Sequence, residues 1–342
     1  MHEKINKDII LVMLKQSSKL FIFIFVCFFN VLNFAFSADK GTAVFTGDDY
    51  SVYVTFTKTV QPGDAICVKL DFTPSKKTSK EPASQTQAVL LFSDIRKTDC
   101  YTVETAKQRG NGNSAVSLLG MIPVSTWQKT GNYELTVMYS AYGGDFMKFN
   151  LPITVQKKDF VSETVELDDS NTAIKTDTSA RRMYQIDRLN NILFTINTDS
   201  LYQKKPFTVP TTEKRITSLF GDRRVYAYSN GKSSTSLHHG IDYGIPTGTP
   251  VFACGTGKVV MAENRISTGW TVVLEHMPGL YSLYYHLDSF NVEEGQIVSQ
   301  GSQIGFSGET GLATGPHLHW EVRLNGESVC PDFFTEKFEF FK

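Results

Sequence analysis

Between His2 and His238 the chain contains no histidine. Any chemistry that needs imidazole must therefore be assembled from the last third of the sequence. An excess of charge of one sign is missing too: 34 lysines and arginines face 35 acids, a formal net charge of −1 over 342 residues. That balance leaves no electrostatic footprint for nucleic acid, and no nucleic-acid partner is expected. There is no glycine-rich dinucleotide fingerprint and no phosphate loop, which excludes the commonest nucleotide-dependent activities. Cysteine is sparse, at five residues. No internal repeat is evident, and one apolar run stands out by its length.

That run, "LFIFIFVCFFNVLNFAF", follows Lys15 and Lys19 and precedes "AFSADK". Ala35 and Ser37 place small residues at the −3 and −1 positions of a cut before Ala38, as in a secretory signal. We expect a signal peptide over residues 1–37, with Met13 the more ordinary start because "DIILV" adds a second apolar patch. Left uncut, the run would be a membrane anchor, the sole membrane contact the sequence suggests, but Asn30 and Asn33 interrupt it as a permanent span. Val26 before Cys27 is too large for a lipoprotein signal. The expectation is an exported protein, periplasmic or associated with the cell envelope. Residues 1–37 hold four lysines, Glu3 and Asp8, so the remainder stands near −3 and keeps Cys67, Cys100, Cys254 and Cys330. An even number of cysteines in an exported chain permits disulfides. Cys67–Cys100 is the pair the layout favours, and four buried thiols are the alternative.

The length suits two domains, and abundant Val, Thr, Tyr and Phe favour a mainly β fold. Residues 38–157 read as a β-sandwich-like domain. "SVYVTFTK" alternates Val52, Val54 and Phe56 against Tyr53, Thr55 and Thr57; "NYELTVMYS" puts Tyr133, Leu135, Val137 and Tyr139 on one face. Residues 158–208 read as a connector. Its "ELDDSNTAIKTDTS" is polar and expected to be extended. In "ARRMYQIDRLNNILFTI", Met183, Ile186, Leu189 and Leu193 fall near helical spacing after a Thr178 or Ser179 N-cap, which predicts one helix packing between the domains. Residues 209–342 return to short, glycine-bounded strands.

Six of the seven histidines lie in this last segment. "TGPHLHWEVRL" alternates like a strand, so His317, His319 and Glu321 share one face and Leu318, Trp320 and Val322 the other. Alone, two such histidines are either a ligand pair or polar positions on a half-solvated sheet. In "HHGIDYG", His238 and Asp242 stand four apart, and a turn or bulge near Gly240 would bring both onto one ion. A catalytic zinc takes three protein ligands and keeps one position open. His238, Asp242 and His319 can supply two nitrogens and a carboxylate oxygen, leaving His286 of "YYHLD" and His317. One of these can take a proton from a zinc-activated water and the other can hold an oxyanion. His317, beside His319, suits the proton transfer better, although the roles can be exchanged. His239 should point elsewhere, His276 should be a turn or packing residue, and Cys254 in "VFACGTG" should be core.

Residues 209–331 resemble the lysostaphin/LytM-type zinc metallopeptidases of bacterial cell walls. The stretches that carry the resemblance are "ITSLFGDRR", "HHGIDYGIPTGTPVFACGTGKVV", "GLYSLYYHL", "EEGQIVSQGSQIGFSGETG" and "ATGPHLHWEV", in the family's order. The resemblance implies a C-terminal antiparallel β-sheet metallopeptidase domain, with Zn2+ on His238, Asp242 and His319 and catalytic roles for His286 and His317. It also implies an endopeptidase acting on peptidoglycan stem peptides and cross-links. "SNGKSSTSLHHG" makes the loop before His238 long and polar. The alternatives are a non-enzymatic wall regulator that activates an amidase, for which the five site residues are unnecessary, and an adhesion module working through the sandwich.

Overall fold

The computed structural model describes residues 23–25, 40–75, 85–93, 96–107 and 114–340. The expected signal peptide lies outside the described residues except for Phe23–Phe25. The chain divides into two compact units. The first gathers most residues up to Gln156; the second is Lys157–Lys342 with the short stretches Pro62–Ala65 and Pro123–Trp127. Among the described residues, no helix is long and apolar enough to cross a membrane.

The first unit is built from β1 (Phe23–Phe25), β2 (Lys40–Thr46), β3 (Tyr50–Thr57), β4 (Thr59–Val60), β5 (Ala65–Pro74), β6 (Gln87–Phe92), β7 (Arg96–Asp99), β8 (Tyr101–Lys107), β9 (Ser114–Pro123), β10 (Gly131–Ser140) and β11 (Met147–Val155). They form two sheets, ordered β1-β2-β3-β5-β9-β8 and β4-β11-β10-β6-β7. The inward faces meet, with Phe45 4.3 Å from Phe149 and Phe72 5.5 Å from Tyr139 between ring centroids. The alternation read from the sequence holds for Val52, Val54, Phe56, Leu135, Val137 and Tyr139, which are all buried, whereas Tyr133 is only half-buried and Thr57, expected on the opposite face, is fully buried. Among the described residues, no disulfide joins Cys67, Cys100, Cys254 or Cys330, and burial pushes the thiols of Cys100, Cys254 and Cys330 up from their ordinary value.

The second unit opens with β12 (Ser162–Glu166), α1 (Asp169–Thr176) and α2 (Ala180–Leu193). Where the sequence suggested an extended polar segment, α1 forms because the Asp168 side chain caps it, accepting from Asn171 N at 2.7 Å. Ser179 caps α2 in the same way, accepting from Arg182 N. The apolar stripe of α2 covers a surface of its own unit. Leu193, with Leu189 and Ile192, packs on Met261, Val273, Tyr281, Leu283 and Tyr285 of its own unit. Met183, expected on that stripe, is exposed.

Then come β13 (Ile216–Ser218), β14 (Arg223–Ala227), β15 (Ser233–Leu237), β16 (Gly240–Tyr243), β17 (Pro250–Phe252), β18 (Gly257–Arg265), β19 (Gly269–Met277), β20 (Leu280–Phe290), β21 (Ile297–Val298), β22 (Gln303–Ser307), β23 (Leu318–Leu324) and β24 (Glu327–Val329). The main sheet runs β13-β16-β23-β20-β19-β18-β21, with β17, β22 and β24 paired at its margins. Its neighbours are antiparallel. A smaller sheet, β12-β14-β15, pairs β12 parallel and β15 antiparallel to β14. The long polar loop expected before His238 is therefore mostly a hairpin, because Ser233–Leu237 returns along Arg223–Ala227.

Leu193→Ala should destabilise this unit by about 2–5 kcal/mol, since it empties a buried site. Met183→Ala should stay within about 0.5 kcal/mol. Denaturant unfolding of both variants checks whether α2 belongs to this core.

Candidate metal centre

Register creates the centre. In β16 and β23, Asp242 lies directly opposite His319, and Gly240 opposite Glu321. Leu318, Trp320 and Val322 fill the other face of β23 and are fully buried, which fixes which side His319 takes. The third group, His238, precedes β16 and pairs elsewhere: its N–H donates to Asp222 O at 2.8 Å and its carbonyl accepts from Gly221 N at 2.9 Å. A straight strand would carry residues four apart to about 13 Å. His238 Nε2 nevertheless lies 3.1 Å from Asp242 Oδ1, so the chain bends where the pairing partner changes. Gly240 is no turn residue here; it opens β16. Its missing side chain makes room, since a Cβ would fall 2.3 Å from Trp320 O and 2.8 Å from His319 Nε2.

Three donor atoms converge. His319 Nδ1 is 2.8 Å from Asp242 Oδ1 and 3.1 Å from His238 Nε2. Ligands about 2.0 Å from a tetrahedral zinc are roughly 3.3 Å apart, so the set fits one such ion. The outer partners fit as well. His238 Nδ1 donates to Leu219 O at 2.7 Å, which leaves its Nε2 lone pair facing the centre. Arg224 Nη2 donates to Asp242 Oδ2 at 2.8 Å, leaving Oδ1 as the inward oxygen, and Arg224 Nε donates to Glu163 Oε1 at 2.7 Å. Behind His319, Glu321 Oε2 stands 3.6 Å from Nε2, and the Tyr285 ring stacks on the imidazole at 5.2 Å and 4°.

The electrostatics favour a cation at this point. Burial works against charge on His319, yet the hydrogen bond to Asp242 and the nearby charges of Asp242 and Glu321 overcome it and hold the imidazole up to about 9. Burial likewise works against the Asp242 carboxylate, but His238 and His319 outweigh it and keep the group well below the usual range.

His286 and His317 stand beside the three. His317 Nε2 is 3.9 Å from Asp242 Oδ1, and the His286 and His317 rings are 4.7 Å apart. His317 lies just before β23, bridged to Gly308 rather than within the strand. His286 sits in β20 at a bulge: Val272 faces Tyr284 and Trp270 faces Leu287, so one residue opposes two. Its φ is 59°, a left-handed conformation rare for a side-chain-bearing residue. The His286 N–H donates to Thr268 O at 2.8 Å. This distortion turns the imidazole toward the centre.

Each of these rings has its tautomer set by a carbonyl. His286 Nδ1 donates to Thr310 O at 2.7 Å and His317 Nδ1 to Gly315 O at 2.8 Å. Both Nε2 atoms therefore carry lone pairs. Burial first, then the charges of His317 and His319, push His286 down to about 3. Burial also lowers His317. Both rings are neutral bases at pH 7. The remaining histidines stand outside this cluster, although His239 lines the cleft around it. His239 Nδ1 is 2.9 Å from Ser328 Oγ. His276 is fully buried, between Thr256 O and Ser282 Oγ. Cys254 is buried as expected.

The centre opens into a cleft of about 840 Å³ within this unit, lined also by residues of β12, α1 and α2. Residues 236–331 match the model of peptidase family M23. The chain carries an M23 peptidase domain. Within it lie all five converging groups. Over 134 residues the chain is 41% identical to a peptidoglycan DD-endopeptidase, ShyA, of Vibrio cholerae, covering 39% of this chain and 30% of that protein. Over 132 residues it is 41% identical to a DD-carboxypeptidase/endopeptidase, Mpg, of Neisseria meningitidis, covering 38% and 30%. The chain thus matches under a third of the length of these curated relatives. A solved structure of a putative M23 peptidase from Pseudomonas aeruginosa aligns at 23% identity and a TM-score of 0.48, covering 74% of this chain and 88% of that one.

Arg224, Glu163 and Tyr285 were not singled out from the sequence. Arg224 and Tyr285 carried a signal only as parts of the "GDRR" and "GLYSLYYHL" stretches, and Glu163 carried none. Arg224→Gln should lower zinc affinity by about 10–100-fold, as loss of an outer-shell partner does. Gly240→Ala should lower it at least as much by displacing His319. Equilibrium dialysis against zinc measures both.

Proposed function

We propose that the protein is an exported, zinc-dependent endopeptidase that hydrolyses peptide cross-links of peptidoglycan. The observation that carries this reading is the triangle of His238 Nε2, Asp242 Oδ1 and His319 Nδ1, with sides of 2.8–3.1 Å, flanked by two neutral imidazoles. Two nitrogens and one carboxylate oxygen suit zinc and leave a coordination position open. The named activities of the ShyA and Mpg relatives support the substrate class, and the apolar leader supports export to where that substrate lies.

Zinc held there would supply Lewis acidity, acidifying water and polarising a carbonyl. The other tasks fall to the chain's own groups. His317, whose Nε2 faces Asp242, takes the proton from the attacking water at that nitrogen. It becomes an imidazolium still anchored through Nδ1 to Gly315 O. His286 presents an unprotonated Nε2, so it is no oxyanion donor until it gains a proton. The ring spacing of 4.7 Å keeps both within reach of one proton in transit. A protonated Nε2 then stabilises the oxyanion and delivers its proton to the departing amine as the C–N bond breaks. Arg224 and Glu163 hold Asp242 to a single inward oxygen throughout.

The test follows soluble fragments released from purified sacculi. The parent should release cross-link-derived peptides and stop with a chelator. His319→Ala should lose both ion and turnover. His286→Ala should keep the ion and lose about 10²–10⁴-fold in rate. Digestion by both variants at the parent rate would refute the reading, and activity seen only with an added amidase would favour the regulator instead.

A further inference from the structure

The cleft that holds the centre is lined by six cationic side chains against three carboxylates. Three of the cations are neutralised. Arg224 pairs with Glu163 and Asp242, Arg323 with Glu321, and Arg265 with Glu263. The other three are Lys175, Arg182 and Arg215, and among the described residues none of them has a carboxylate at ion-pair distance. Arg215 is exposed at the cleft margin. Lys175 and Arg182 come from α1 and α2, both line the cleft, and they are near enough for their charges to act on each other.

Lys175 Nζ sits 4.0 Å above the Tyr226 ring. Tyr226 is two residues along β14 from Arg224, so the two side chains leave the same face about 7 Å apart. The ammonium therefore lies one short step beyond the group that touches Asp242. Arg182 is held in place by main-chain and hydroxyl oxygens only: Nη1 donates to Asp177 O, and Nε to Ser267 Oγ at 3.2 Å. The Asp177 carboxylate is taken first by Ser179, whose N–H donates to Oδ1 at 2.6 Å, and only weakly feels Arg182, which meets the main-chain oxygen instead. Burial, then the charges of Arg182 and Arg224, lower Lys175 from its ordinary value. Positive potential at this point is thus uncompensated by the chain. A zinc ion at the centre would add to it.

We propose that Lys175 and Arg182 form a subsite for a free carboxylate of the peptide substrate, next to the scissile bond. This rests on the hydrolytic reading above and narrows it. A stem peptide carries such carboxylates, at its terminus or on a diamino acid, whereas an uncharged glycine bridge offers none near the bond cut. A carboxylate seated between an ammonium and a guanidinium gains charge-assisted hydrogen bonds. It would also orient the peptide across the cleft, with its carbonyl toward the His238, Asp242 and His319 cluster. The two cations are specificity determinants and do not touch the reacting atoms.

The experiment uses the full chain, zinc-loaded, with His286→Ala to halt turnover. Binding is measured by fluorescence anisotropy for one labelled cross-linked peptide in two forms, ending in a carboxylate or in a carboxamide. The acid should bind about tenfold tighter, or about 1.4 kcal/mol. Adding Lys175→Gln or Arg182→Gln should shrink that ratio, both together should bring it near one, and Lys175→Arg should preserve it. Equal binding of the two forms to the unsubstituted cleft overturns the proposal, and that comparison depends on no cleft variant folding. A ratio that survives the double substitution, or no binding of either form at millimolar concentration, overturns it as well. If the chain with His286 intact hydrolyses neither peptide while the acid preference persists, the carboxylate subsite stands and the hydrolytic reading falls.

Discussion

The second unit depends on one cross-strand pair. Asp242 and His319 face each other across β16 and β23, and a slip of one residue would turn both away from the centre. The slip is prevented from behind, where Leu318, Trp320 and Val322 are fully buried. The same alternation that buries the core thus aims the ligands. Gly240 completes the arrangement, because any Cβ would strike the neighbouring strand and the His319 ring. Packing, register and donor geometry are one constraint viewed from three sides.

Around that pair, the fold spends regularity on function. His286 adopts a left-handed backbone inside a long strand, at a bulge that gives it a direction a regular strand would not. Its ring and that of His317 are then fixed by main-chain carbonyls rather than by other side chains. Carbonyls accept and cannot donate, so the tautomers follow without further assistance. Burial keeps both rings uncharged. The result is a pair of bases beside a cation-favouring cluster, in a cleft whose charge is set largely by elements outside the main sheet.

Much of this was legible in the sequence. Alternation in "HLHWEV" placed His319 and Glu321 on one face, and the absence of histidine before His238 confined the chemistry to the last third. Donor counting picked out His238, Asp242 and His319 as one candidate set and left His286 and His317 beside it. What the sequence hid has a common physical origin in long-range or main-chain geometry. The role of Gly240 depends on a strand nearly eighty residues away. The tautomers depend on the carbonyls of Thr310 and Gly315, which no side-chain pattern encodes. The α1 helix was missed because polar residues dominate it, and a capping aspartate, Asp168, decided its conformation. The α2 helix was legible from its spacing, but its packing partner was not, since an apolar stripe does not name the surface it covers.

The central claim is that one divalent ion is held by two imidazole nitrogens and one carboxylate oxygen at the β16–β23 pair. Zinc-edge X-ray absorption on the folded, zinc-loaded protein tests this most directly. The account predicts one ion per chain in a four-coordinate shell of nitrogen and oxygen only, with the signature of two imidazoles. A shell containing sulfur, or a folded protein that retains no ion, would contradict it.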